Sequence, residues 1–220
     1  MGHAEAWTAR DSVLYATCEI FVAAVNGRLK ERSIPAHTFA PQFSLDEQVL
    51  AAGEYDLAWW GAVGNGSYER HTFIAGGSGA LGVGLLGATA LGSAIGNASR
   101  RNQAALDSTG MWRLVERGIV NISDRGVYLQ SPVSFRPFAW SHIMQADLAA
   151  QTVLQFVAQT SSGVEHLALT SDWAELVFVL WALAVHRNHP RLVTTSWIDP
   201  EFFDKCRDHG YAPPRPALGA

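Results

Sequence analysis

Histidines offer the first candidate chemistry in this chain. His186 and His189 stand three residues apart, with His142, His166 and Asp199 elsewhere. Such a pair binds a metal when further ligands converge on it. No third ligand follows at a characteristic spacing, and a helix C-terminus explains His186 and Arg187 at once. Cys18 falls on an apolar helical stripe, where cysteine packs as a small hydrophobe rather than acting as a nucleophile. Ser78 sits in a Gly-Ser-Gly triplet (77–79) that lacks both the G-x-S-x-G spacing and the strand–turn–helix setting of a hydrolase elbow. Residues 79–84 (GALGVG) hold no G-x-G-x-x-G, and no acidic residue follows at the distance a dinucleotide site needs. The expectation is a protein without catalytic residues, metal or cofactor.

Composition narrows the classes further. The chain has 220 residues, 48% hydrophobic, with 16 Lys+Arg against 20 Asp+Glu and a net charge of −4. Nucleic-acid binding through bulk charge is not expected. Charged residues make up 16%, against roughly 25% in an average soluble domain, which suits a chain with an apolar partner. Two cysteines make neither a disulfide framework nor a zinc finger. Glu5, Arg10 and Asp11 interrupt every early apolar run, so no signal peptide is read and a cytoplasmic chain is expected.

The most unusual stretch is 72–99, with no charged residue between His71 and Arg100. Within it Gly76, Ala80, Gly84, Ala88, Gly92 and Gly96 recur every four residues. On a helix these stack along one face as a shallow groove, with Ile74, Leu81, Leu85, Leu86 and Ile95 on the other side. Small residues at this spacing let a second helix approach closely. One reading is a packing or self-association helix. Another is a membrane span: about 24 helical residues rise roughly 36 Å, against a hydrocarbon core of about 30 Å. Arg100 and Arg101 would then mark the cytoplasmic end, and Trp59 and Trp60 an interfacial belt. Against a span, each glycine costs about 1 kcal/mol of helix propensity relative to alanine.

The remaining elements follow from periodicity. Leu14, Cys18, Phe21, Val25 and Leu29 predict a helix over 11–30, with Asp11 or Ser12 as N-cap. Residues 54–63 read as strand. Short β-rich runs follow at 112–115, 118–122, 127–130, 134–140, 153–158 and 165–169. Asp124-Arg125-Gly126 and Ser161-Ser162-Gly163 are the turns between them. An apolar helix is expected over 173–185, capped by Ser171 or Asp172 and stopped by Pro190. Asp199-Pro200 opens a last short helix. The order is α+β, not alternating βαβ.

GIVNISDRGVYLQ (118–130), RPFAWSHI (136–143), VLQFV (153–157) and the helix from Asp172 together resemble bacterial PH-like/GRAM-like domains. Residues 92–104 with Met111, Trp112 and Arg113 resemble uncharacterised actinobacterial and phage proteins of this type. The resemblance covers roughly 54–188. Gly126 stands where a hydrophobic residue usually follows the arginine. It implies two packed antiparallel sheets forming a barrel or sandwich with a C-terminal capping helix, joined here by an N-terminal helix and a Gly/Ala-rich helical insertion. It divides the chain into 1–45 (helix and linker), 46–190 (PH-like domain containing helix 73–101) and 191–220 (short helix and proline-rich tail). It also implies a non-enzymatic module that binds lipids, peptides or proteins; taken with the spacing of the glycine ladder, the expectation is a module that binds a protein partner or a second copy through that helix. The alternative is a membrane-associated protein that inserts 73–99 into lipid and sits at the inner membrane face. In hairpins of this type, basic residues on one rim meet phosphates or acidic side chains. Arg100, Arg101, Arg113, Arg117, Arg125 and Arg136 are the candidates, against a simpler reading as solvent-facing charges.

Overall fold

Short apolar runs separated by turn residues build seven antiparallel strands: β1 Val49–Gly61, β2 Met111–Ser123, β3 Gly126–Gln130, β4 Phe135–Ala139, β5 Ile143–Ala150, β6 Val153–Thr160 and β7 Gly163–Thr170. They pair in the order β4-β3-β2-β1-β7-β6-β5. The computed structural model describes residues 5–35, 43–61, 110–212 and 214. The glycine ladder (Gly76, Ala80, Gly84, Ala88, Gly92, Gly96), Arg100 and Arg101 lie outside the described residues.

β1 is the seam of the sheet. It pairs with β2 from Val49 to Gly61 and with β7 from Asp56 to Trp59. Hydrogen bonding therefore runs unbroken through one sheet rather than two separate ones. The register slips at Leu57/Ala58, and such a bulge adds local twist. Curvature carries β4 over the other half of the sheet: Phe138 meets Phe156 of β6 edge-on, ring centroids 5.8 Å apart. Pro137 lies in β4, an edge strand, where a missing N–H breaks no ladder.

β1 begins at Val49, five residues before the expected 54, and two further runs differ. The runs at 112–115 and 118–122 are one strand, because the charged pair between them finds partners: Arg117 meets Asp56 across the ladder at 2.8 Å, and Glu116 turns into a polar cluster. β5 was not among the expected runs. Its sequence, IMQADLAA, is poor in β-formers, and pairing with β6 holds it as the opposite edge. The turn at 124–126 forms as expected. Ser123 Oγ accepts from the backbone N–H groups of Arg125 and Gly126. A Cβ at Gly126 would collide with the Phe138 carbonyl and the Phe43 ring. This explains the departure from the hydrophobic residue that the resemblance expects.

Helix α1 spans Ala9–Val25, and a separate 3₁₀ turn covers Leu29–Arg32. Its N-cap is Thr8, not Asp11 or Ser12. Asp11 is the third residue of a capping box, with Thr8 Oγ1 accepting from its N–H while its carboxylate accepts from the Thr8 N–H at 2.7 Å. Helix α2, Ala174–Val185, also lacks the expected side-chain cap. Ser171 Oγ accepts from Trp173 N–H one position outside the helix, and Glu175 is buried rather than capping. Pro190 does not merely stop α2; it opens a short helix α3, Pro190–Val193. Helix α4, Pro200–Asp208, has Asp199 as N-cap, as expected.

The core is continuous across the expected segment boundaries. Cys18 and Phe21 of α1, Leu57, Ile122, Leu129, Leu154 and Leu169 of the sheet, Phe178 of α2, and Trp197, Phe202 and Cys206 belong to one cluster. α1 is held on α2 by Arg10, which donates to the Glu175 carboxylate and the Asp172 carbonyl.

Candidate functional site

A polar cluster sits where β4 crosses the sheet. Arg136 alternates inward beside the core residue Phe138, so its guanidinium reaches two carboxylates. It pairs with Glu116 of β2 at 3.5 Å and Glu165 of β7 at 3.2 Å. Glu116, 5% exposed, accepts on one oxygen from the Tyr55 hydroxyl (3.1 Å) and on the other from Ser131 (3.4 Å) and Ser134. Glu165 accepts from Thr160 at 2.8 Å. Burial, reinforced by the Glu116 charge, pushes the Tyr55 hydroxyl well above the usual tyrosine range. Tyr55 therefore remains a hydrogen-bond donor.

Beside the cluster lies a groove of about 580 Å³, walled by Phe135, Phe138, His142, Gln159, Ser161 and Ser162. One wall is aromatic. The other carries small hydroxyls and an amide from the β6–β7 turn, where Gly163 adopts a φ of +114°. The arrangement suits contact with a partner that mixes apolar and hydrogen-bonding groups. Beside the groove, the Ser134 hydroxyl donates to the Glu116 carboxylate, which Arg136 also engages.

The described candidate arginines do not converge. Arg113 donates to the Gly61 carbonyl at one end of β2. Arg125 lies at the other end, half exposed, 3.5 Å from both Asp46 and Asp124. Arg117 pairs with Asp56 across the β1–β2 ladder, and of these four Arg136 alone lines the groove. Glu116, Glu165, Tyr55 and Thr160 were not singled out from sequence. The available signal was Glu116-Arg117 inside an otherwise apolar strand run.

The other candidates find structural places. His186 and His189 stack edge-on, centroids 5.6 Å apart, near Trp181. Burial pulls His189 below the usual histidine range despite the Asp147 charge, and its Nδ1 accepts from Arg191 N–H. No group of three or more metal-ligating side chains forms among the described residues. Cys18 is fully buried, and burial pushes its thiol up to about 12. Among the described residues, no helix is long and apolar enough to cross a membrane.

Compared with protein-family models, with curated proteins and with solved structures, the chain matches none of them.

Proposed function

We propose that the chain is a non-enzymatic binding module on a PH-like frame, which docks a protein partner or a second copy through the glycine-spaced stretch 73–101. The observation that carries the frame is the strand order β4-β3-β2-β1-β7-β6-β5 followed directly by the apolar helix α2. The resemblance implies two packed antiparallel sheets with a C-terminal capping helix, and a curled seven-strand antiparallel sheet followed by α2 supports that reading. Binding rather than catalysis is supported by the Arg136 cluster, whose charged groups hold one another and three strands together.

The rival membrane reading has one feature in its favour. Trp60, 44% exposed, meets Trp112 across the ladder at the root of the 62–109 stretch, ring centroids 5.4 Å apart. Topology opposes a full crossing. The chain leaves the sheet at Gly61 and returns at its ladder partner Met111. A single span over 73–99 would strand Arg100 on the far side of the bilayer. Residues 100–110 would then have to recross about 30 Å of hydrocarbon carrying Arg100, Arg101 and Asp107.

Sedimentation of the wild type, Gly84→Leu and Gly92→Leu tests the proposal. Concentration-dependent association is expected, weakened by each leucine by about 1–3 kcal/mol through overpacking. Unchanged association in both variants, with improved liposome flotation, would favour the membrane reading instead.

A further inference from the structure

The groove beside the Arg136 cluster carries an unbalanced charge. Its titratable lining consists of Arg136, Glu165 and His142. Arg136 is shared between Glu165 at 3.2 Å and the buried Glu116 behind it at 3.5 Å. With Tyr55 and His142 neutral, one cation faces two carboxylates, which leaves a single negative charge in excess. The walls do not cancel it. β4 holds no second charged residue, β6 holds none, and neither do the turns 131–134 and 161–162.

Glu165 is the carboxylate that reaches the groove. Its Oε2 meets Arg136 and its Oε1 accepts from Thr160 at 2.8 Å, whereas a carboxylate offers about four lone-pair sites. Glu116 has no such room, since Tyr55, Ser131 and Ser134 already occupy it. The rest of the lining suits one kind of cation. Gln159 donates its side-chain N–H to the Thr160 carbonyl at 3.2 Å, which leaves its amide oxygen as an acceptor. Ser161 and Ser162 add hydroxyls, and Phe135, 37% exposed, adds apolar surface together with Pro137. A guanidinium is planar, weakly hydrated and carries five N–H donors, so it bonds several acceptors while packing on aromatic surface; an ammonium is compact and strongly hydrated. An added β-strand is a poorer occupant, because Pro137 removes a donor from the middle of the β4 edge.

We propose that this groove receives an arginine side chain of a protein partner, its guanidinium bonded to Glu165 and packed against Phe135 and Pro137. The volume of about 580 Å³ lies within the span of small-ligand sites, about 300–1,000 Å³. The inference rests neither on the PH-like frame nor on the glycine-spaced stretch. Arg136 acts as the positioning residue: it holds the Glu165 carboxylate from one side and leaves the other to the incoming cation.

The test titrates N-acetyl-arginine amide into the isotopically labelled full chain and follows its amide spectrum. Shifts confined to His142 and residues 159–165 are expected at millimolar probe. The citrulline counterpart, equal in shape but neutral, should bind at least tenfold more weakly, and the lysine counterpart severalfold more weakly. Glu165→Gln should weaken arginine binding at least tenfold. Ser162→Lys, on the exposed turn, should weaken it severalfold while leaving both Arg136 pairs in place, so the result does not depend on how well Glu165→Gln folds. Absence of shifts at 159–165 overturns the proposal. So does equal binding of citrulline or lysine, or unchanged binding in Ser162→Lys. Tighter binding of N-acetyl-aspartate amide also overturns it, and would make Arg136 the receiving group.

Discussion

Glu175 and Glu116 are both buried carboxylates held by an arginine, yet they sit in different company. Glu116 has partners on both oxygens: a tyrosine, two serines and Arg136. Glu175 is satisfied on one oxygen only, by Arg10 and the Thr152 N–H at 3.3 Å; its other oxygen is buried without a partner. Burial pushes the Glu175 carboxyl above the ordinary 4.5, outweighing the pull of Arg10. One site is a complete network joining strands. The other is a single latch joining two helices, and it depends on one cation. The lesson is that burial alone does not set the energetic role of a carboxylate; the number of partners does.

The latch gives the largest expected effect. Arg10→Ala leaves Glu175 buried with no counter-charge and should cost about 3–5 kcal/mol at neutral pH in urea unfolding. The pH dependence has a definite sign. Glu175 holds its proton more tightly folded than unfolded, so its contribution falls as pH rises from 4.5 through the folded value. The Arg10→Ala loss should therefore shrink near pH 4.5, where the neutral carboxyl needs no cation. Equal losses at both pH values would break the contrast. Asp11 titrates the other way. Burial pushes it up, but hydrogen bonds from Thr8 and Lys205 outweigh this and bring it below 3.8, so its support fades as pH falls through that lower value.

Within the network, losses should be smaller and shared. Glu116→Ala removes the acceptor of a buried tyrosine and one of the two carboxylates of Arg136, for about 1–3 kcal/mol. Tyr55→Phe should cost about 1 kcal/mol, since Arg136 and both serines still hold Glu116. A Tyr55→Phe loss as large as that of Glu116→Ala would show that the network hangs on one bond. Arg125→Ala, at an exposed turn with two 3.5 Å pairs, should change the unfolding midpoint by less than the equivalent of about 0.5 kcal/mol.

These contrasts also mark what the sequence makes legible. The α+β order, the turns at 124–126 and 161–163, and the helix opened by Asp199-Pro200 were readable because each rests on local chemistry. β5 was not, since its alanines and Asp147 give little β preference and only its pairing with β6 makes it a strand. The caps of α1 and α2 elude the sequence for a related reason. Asp11 and Glu175 look like first-turn acids, and only tertiary contacts with Lys205 and Arg10 show their further roles. For the candidate site, Arg136 was visible as a charge in a strand. Its partners, from β2 and β7, meet it only because the sheet curls.

The position of β1 has a kinetic consequence. The β2–β3 and β6–β7 hairpins close over short turns, and pairings of that kind form within about 1–10 μs. β1 pairs with β2 only across residues 62–109 and with β7 from farther still. Each doubling of a loop adds about 0.6 kcal/mol of closure entropy. Folding should therefore be gated by β1. Two preformed meanders wait for one strand to join them, and the search time of that strand sets the rate for the whole chain.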